Sequence, residues 1–309
     1  MKRPGYHKPF RIFCEIPAWI DIIKALFSGD TPPDCTVEQR SMIVGREAFN
    51  FTLISTISFI VSFFLVHVVT NLFQVFYLHV NGVNFFSSLQ RIRFLPGDQS
   101  IWDDSMILMV YGFPYFISLI VGVLLSGWLA SGKKDDWRVR LFLIWLAIHA
   151  IMQFAAGVVY ATFFYDGFGI AYHWLFSALA VRIAVTFLVL LVLFATGGQW
   201  MRQFLKASPT RLFFQKLELR YKFLWFSVLI PWVVGSAIIL VMFYPPVNRD
   251  IFITLFCYLL IFVPMLKVLP LNESVRLVKS EKKVFPVRAA WIYIVLLLVL
   301  LRFVSRIEF

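Results

Sequence analysis

Residues 49–80 read FNFTLISTISFIVSFFLVHVVTNLFQVFYLHV, without a single Asp, Glu, Lys or Arg. A bilayer is crossed by roughly 20 apolar residues in a helix, so this stretch is long enough to cross and to tilt or protrude. The turn signal Asn81-Gly82 ends it. Working outward, six more apolar stretches follow, at 106–130, 141–165, 170–196, 223–244, 251–268 and 287–304. The chain therefore reads as an all-α, polytopic helical membrane bundle of seven spans. The last is the weakest, with only 13 uncharged residues between Arg288 and Arg302, which would snorkel to the interfaces.

Composition agrees. The chain of 309 residues is 60% hydrophobic, with a mean hydropathy of +0.80, too apolar for a soluble domain. Its net charge of +12 does not point to nucleic acid, because the charge is sorted by loop. Of the 29 Lys and Arg, 23 fall in the odd-numbered gaps between spans and 5 in the even-numbered gaps. Cytoplasmic flanks retain Lys and Arg, so the N-terminus is expected inside, at a bacterial inner membrane. The basic inner face is expected to meet anionic lipid headgroups. Of the three cysteines, Cys14 and Cys35 precede the first span and Cys257 lies in the sixth, so no disulfide framework is expected.

Residues 1–47 form a cytoplasmic segment, and 48–304 the transmembrane domain. In the former, Ile16, Trp19, Ile20, Ile23, Leu26 and Phe27 recur at helical spacing, with Asp21 and Lys24 opposite. This predicts a short amphipathic helix, for in-plane attachment or for docking onto another helix. Gly197-Gly198 is expected to break the chain before a basic connection at 199–222. In that connection Trp200, Met201, Phe204 and Leu205 form a second amphipathic stretch facing headgroups or a partner. Prolines 114, 231 and 264 fall inside spans, where each removes a helical hydrogen bond.

Polar residues inside a bilayer carry the most functional information. His67, Asn71 and Gln74 share a face of span 1, His149 and Gln153 a face of span 3, and Arg182 falls near the middle of span 4. Depth along each span places these groups together in one buried cluster, with His173 nearer the outer end. No Asp or Glu lies inside the spans, so Arg182 must meet Gln153, Asn71, backbone carbonyls, water, a lipid phosphate or another subunit's acid. Two histidines on different spans make a poor zinc set, so no metal, cofactor or catalytic residue is assigned.

The order of features over 49–170 resembles the membrane-embedded site-2 metalloproteases. That family carries His-Glu-x-x-His in one span, a Gly-Pro stretch in a following one, and an Asp-Gly pair that supplies the third zinc ligand. Here His67-Val68-Val69-Thr70-Asn71, Tyr111-Gly112-Phe113-Pro114 and Tyr165-Asp166-Gly167 stand in those places. Val68 replaces the general base and Asn71 the second histidine, so the resemblance implies a protease-dead relative. The expected function is a non-catalytic subunit or scaffold of a membrane complex, with other membrane subunits as partners. The alternatives are a carrier or lipid-handling protein that binds an anion at Arg182, and an intramembrane enzyme.

Overall fold

The computed structural model describes residues 37–87, 92–94, 102–131, 136–208, 213, 217–243 and 249–268. Two of the expectations, the amphipathic helix at 16–27 and the span at 287–304, lie outside them. By internal contacts the chain divides into Met1–Asn50 and Phe51–Phe309. What is described of the first unit is the opening of a helix.

Helix α1 (Val37–Val80) is followed by an antiparallel ribbon of β1 (Phe85–Ser87) and β2 (Ile92–Phe94), with Phe86 opposite Arg93. Then come α2 (Asp104–Ala130), α3 (Trp137–Phe163), the short α4 (Phe168–Leu175), α5 (Leu179–Lys206), α6 (217–242) and α7 (Arg249–Val268). Six of these helices are long and apolar enough to cross a membrane, so the chain is an integral multi-pass membrane protein.

Helix α3 is the hub, packing against α2, α4, α5 and α7. Its Leu141, Ile144, Trp145, Ala147 and Met152 are fully buried. Polar side chains join the helices where hydrocarbon offers no other partner. Ser62 donates to the Phe142 carbonyl at 3.3 Å, and Ser118 to the Ala150 carbonyl at 3.0 Å.

Two prolines shape their helices in the same way. A π turn at Leu108–Gly112 precedes Pro114, and another at Trp225–Leu229 precedes Pro231. In an α-helix the carbonyls of Val110 and Ser227 would accept from residues 114 and 231, and proline has no N–H to give. Both carbonyls are met instead from α1: Gln74 Nε2 donates to Val110 at 3.0 Å, and Ser55 Oγ to Ser227 at 2.6 Å.

The fourth span departs from the expected 170–196. The chain is helical over Phe168–Leu175, opens at Phe176, Ser177 and Ala178, and resumes at Leu179. Phe168 and Tyr172 pack against Val158 and Ala161, folding α4 back on the last two turns of α3. The Tyr172 hydroxyl donates to the Arg182 carbonyl at 3.0 Å and fixes the corner.

At its other end α5 runs straight through Gly197-Gly198, which was expected to break it. A Cβ on Gly197 would collide with the Ile261 carbonyl oxygen and the Pro264 ring. The glycine is there for close approach to α7, whose packing outweighs the helix penalty of about 1 kcal/mol. The predicted amphipathic stretch changes role as a result. Trp200, Met201, Phe204 and Leu205 are buried in the bundle, with Phe204 edge-on to Trp145 at 5.1 Å.

Helix α2 starts on a cap. The Asp103 carboxylate accepts from the Met106 N–H at 2.7 Å and from the Ser105 hydroxyl at 2.8 Å. These bonds, the Met106 one first, hold its pKa below the ordinary 3.8. Just behind the cap, Leu78, Met106 and Val110 form a small core with Tyr77, Val83, Phe85 and Trp102. This end of the molecule, marked by the strands, is the ribbon end.

Candidate functional site

The six polar residues expected in one cluster are not joined; they fall into separate groups. His149 is the deepest, near the midpoint of α3 and buried. Its Nε2–H donates to the Phe59 carbonyl at 2.9 Å, which leaves Nδ1 to accept from the Tyr258 hydroxyl. Beside it, Trp145 Nε1 donates to Ser55 Oγ at 2.9 Å, and Ser55 passes the chain on to the Ser227 carbonyl. Four helices, α1, α3, α6 and α7, are tied by these bonds, and Phe59 fits edge-on between Trp145 and His149, at 4.9 Å and 4.6 Å. The side-chain donors His149, Tyr258, Trp145 and Ser55 each have an acceptor, which is the pattern of structural glue.

His67 belongs to the ribbon end. Its ring meets Phe243, the residue just after α6, edge-on at 5.2 Å, and Asn71 Nδ2 lies 3.2 Å from its Nε2. Gln74, on the same face, is committed to the Val110 carbonyl. Gln153 is half-buried and contacts neither Arg182 nor Asn71 by hydrogen bond among the described residues.

One acid stands at the edge of the expected sixth span, 251–268. α7 begins at Arg249, ahead of its apolar run, so Asp250 falls in the first turn of a membrane helix. Its Oδ1 accepts from its neighbour Ile251 N–H at 2.8 Å, and it interacts electrostatically with His67 and Asp166. Asp166, in the α3–α4 turn, accepts from the Tyr160 hydroxyl. Tyr115 is drawn into the same electrostatic neighbourhood. A polar belt of His67, Asp166, Asp250, Tyr115 and Tyr160 thus crosses α1, α2, α3 and α7. The tyrosines had no sequence signal. Asp250 had one, since an Asp directly before an apolar run is a helix-start residue.

Arg182 moves the furthest from expectation. With the helix restarting at Leu179, it lies in the opening turns of α5 rather than at mid-span. Thr186, one turn on, shares a hydrogen bond with Thr162, the penultimate residue of α3, so Arg182 is at the ribbon end as well. Its Nη1 lies against the ring of His173. Because His173 Nε2–H donates to the Ala161 carbonyl at 2.8 Å, Nδ1 is the nitrogen that accepts from Arg182.

The places singled out by the protease resemblance are likewise occupied by ordinary bonds. His67 faces Asn71, Gly112 closes a π turn, and Asp166 holds Tyr160. Among the described residues no group of three His, Cys, Asp or Glu is disposed to hold a metal ion.

Comparison with known protein families, with curated proteins and with solved structures returns no match.

Proposed function

We propose that this chain is a non-catalytic, integral subunit or scaffold of a larger membrane complex, and that it docks its partner along the ribbon end of α1. The supporting observation is an exposed ridge. Leu65, Val69, Leu72, Phe76 and Val80 recur at steps of three and four and are each 42–65% exposed. Ala48–Val80 contains 33 residues, which at 1.5 Å per residue is about 50 Å, against an apolar bilayer thickness of about 30 Å. Leu72, Phe76 and Val80 lie beyond His67 and the polar belt around it, on the part of α1 that the membrane does not need. An apolar ridge there calls for a protein cover.

Under the charge bias of the loops this ridge faces the outside of a bacterial inner membrane, with the N-terminus in the cytoplasm. A relation to site-2 metalloproteases fits the same reading, with Val68 and Asn71 replacing the groups that such catalysis requires.

The test is the size of the native complex. Wild type and a Leu72→Glu/Phe76→Glu variant, each purified from the native host in a mild detergent, are compared by light scattering with detergent correction. A wild-type mass above one protomer that falls to one protomer in the variant supports the reading. Two monomeric proteins would falsify it.

A further inference from the structure

The ribbon end of α5 carries positive charge that no carboxylate among the described residues balances. Arg182 has no carboxylate within ion-pair distance among the described residues; its Nη1 rests on a neutral-accepting histidine, and its Nε is buried without a hydrogen-bond partner. The helix itself adds to the imbalance. α5 opens at Ala178 without a side-chain cap and with no acidic residue in its first turn. The Ala178 carbonyl takes the N–H groups of Val181 and Arg182, which leaves those of Leu179 and Ala180 without a helical acceptor. A cation near the positive end of a helix dipole is unfavourable in isolation. Side chains on a helix lean toward its N-terminus, so Arg182 reaches toward those open N–H groups.

The surroundings say where an anion would come from. Tyr165 stands edge-on to His173 at 5.0 Å, and both Tyr165 and Trp174 are exposed, as aromatic side chains are at the headgroup level of a bilayer. Immediately below, Ile183, Phe187, Leu188 and Leu191 of α5 are exposed and apolar, a surface for acyl chains.

We propose that Arg182 and His173, at the α4–α5 corner, form a binding site for a phosphate oxyanion, with the aromatic rim and the apolar face below selecting the phosphate of an anionic lipid headgroup. The phosphate oxygens accept from the Arg182 guanidinium and from the open N–H groups at the start of α5. The site is independent of the α1 ridge, and either reading can fail alone.

The test is a stability titration of the full chain in a neutral maltoside detergent. The additives are dioctanoyl phosphatidylglycerol, dioctanoylglycerol and inorganic phosphate, and the readout is the thermal midpoint. Wild type is expected to be stabilised by the phosphatidylglycerol and not by dioctanoylglycerol. Arg182→Gln should need at least roughly tenfold more of it for the same shift, with Arg182→Lys in between. Stabilisation by inorganic phosphate at a matching concentration would identify a free anion as the ligand and remove the lipid part of the proposal. Equal titrations of wild type and Arg182→Gln, or an equal shift with dioctanoylglycerol, would overturn it altogether. Should Arg182→Gln not fold, wild type with a photoactivatable phosphatidylglycerol decides. Cross-links at residues 165–182 support the site, and cross-links confined to other helices reject it.

Discussion

Gln74 donates its side-chain amide to the carbonyl of Val110, the acceptor that Pro114 deprives of an α-helical partner. Sequence alone makes Gln74 a candidate for binding something. In the structure its partner is the defect that a proline makes in the neighbouring helix.

This pairing predicts a specific non-additivity. Gln74→Leu should destabilise the protein by about 1 kcal/mol, the scale of interhelical hydrogen bonds in membranes. With Pro114→Ala, which restores the N–H, the same change should cost less. The measurement is a double-mutant cycle of thermal midpoints in detergent, and strict additivity would contradict the pairing.

Ser55 should matter more than Gln74, because it accepts from Trp145 and donates to Ser227 at once, and it is fully buried. Ser55→Ala leaves an indole N–H without its acceptor, at a cost of about 2 kcal/mol. Ser55→Ala added to Trp145→Phe should cost little further. Denaturant or thermal unfolding of the three variants checks both statements.

Glycine substitutions separate close approach from mere helix propensity. Gly197→Ala puts a methyl into the Ile261 carbonyl and should destabilise by about 1–3 kcal/mol as the helices part. Gly127 has open space where its Cβ would be, so Gly127→Ala should be neutral or stabilise by up to about 1 kcal/mol. If both behave alike in a thermal scan, α5 and α7 are not held by that contact.

The cap on α2 should respond to acid. Asp103 has its pKa lowered below 3.8 in the fold by the Met106 N–H, so its contribution is fully present above that value. It is lost as pH falls through the lower folded pKa. Hydrogen exchange at the Met106 amide should therefore accelerate, relative to interior amides, only below about pH 4. In Asp103→Asn, which keeps an acceptor but no charge, that acid-side acceleration should vanish.

Much of the architecture was legible because apolar runs and turn residues act locally. The spans beginning near Phe49, Met106, Leu141, Phe223 and Ile251 all reappear as helices. The fourth was misplaced because nothing between Ile170 and Thr196 interrupts its apolar run except His173, Ser177, Arg182 and Thr186. Its break is made by packing of α4 on α3 and by the Tyr172–Arg182 bond, neither of which has a local signature. The Gly197-Gly198 pair misled for the converse reason, a strong local signal overruled by a contact with α7. Of the polar candidates, His67 and His149 are buried, whereas Asn71, Gln74, Gln153 and Arg182 are half-buried. Their partners were not legible, since Gln74 and Val110 are 36 residues apart and Ser55 and Ser227 are 172 apart.

The two proline repairs also impose an order on biogenesis. Both donors, Gln74 and Ser55, sit on α1, the first of the described helices to leave the ribosome, and both bare carbonyls arrive later, on α2 and α6. Until each of these helices docks against α1, it carries in hydrocarbon an acceptor that lacks its α-helical donor. A misoriented or undocked α2 or α6 is thereby marked by an unpaired dipole in the lipid, where a quality-control protease or chaperone that senses polarity in the bilayer could recognise it.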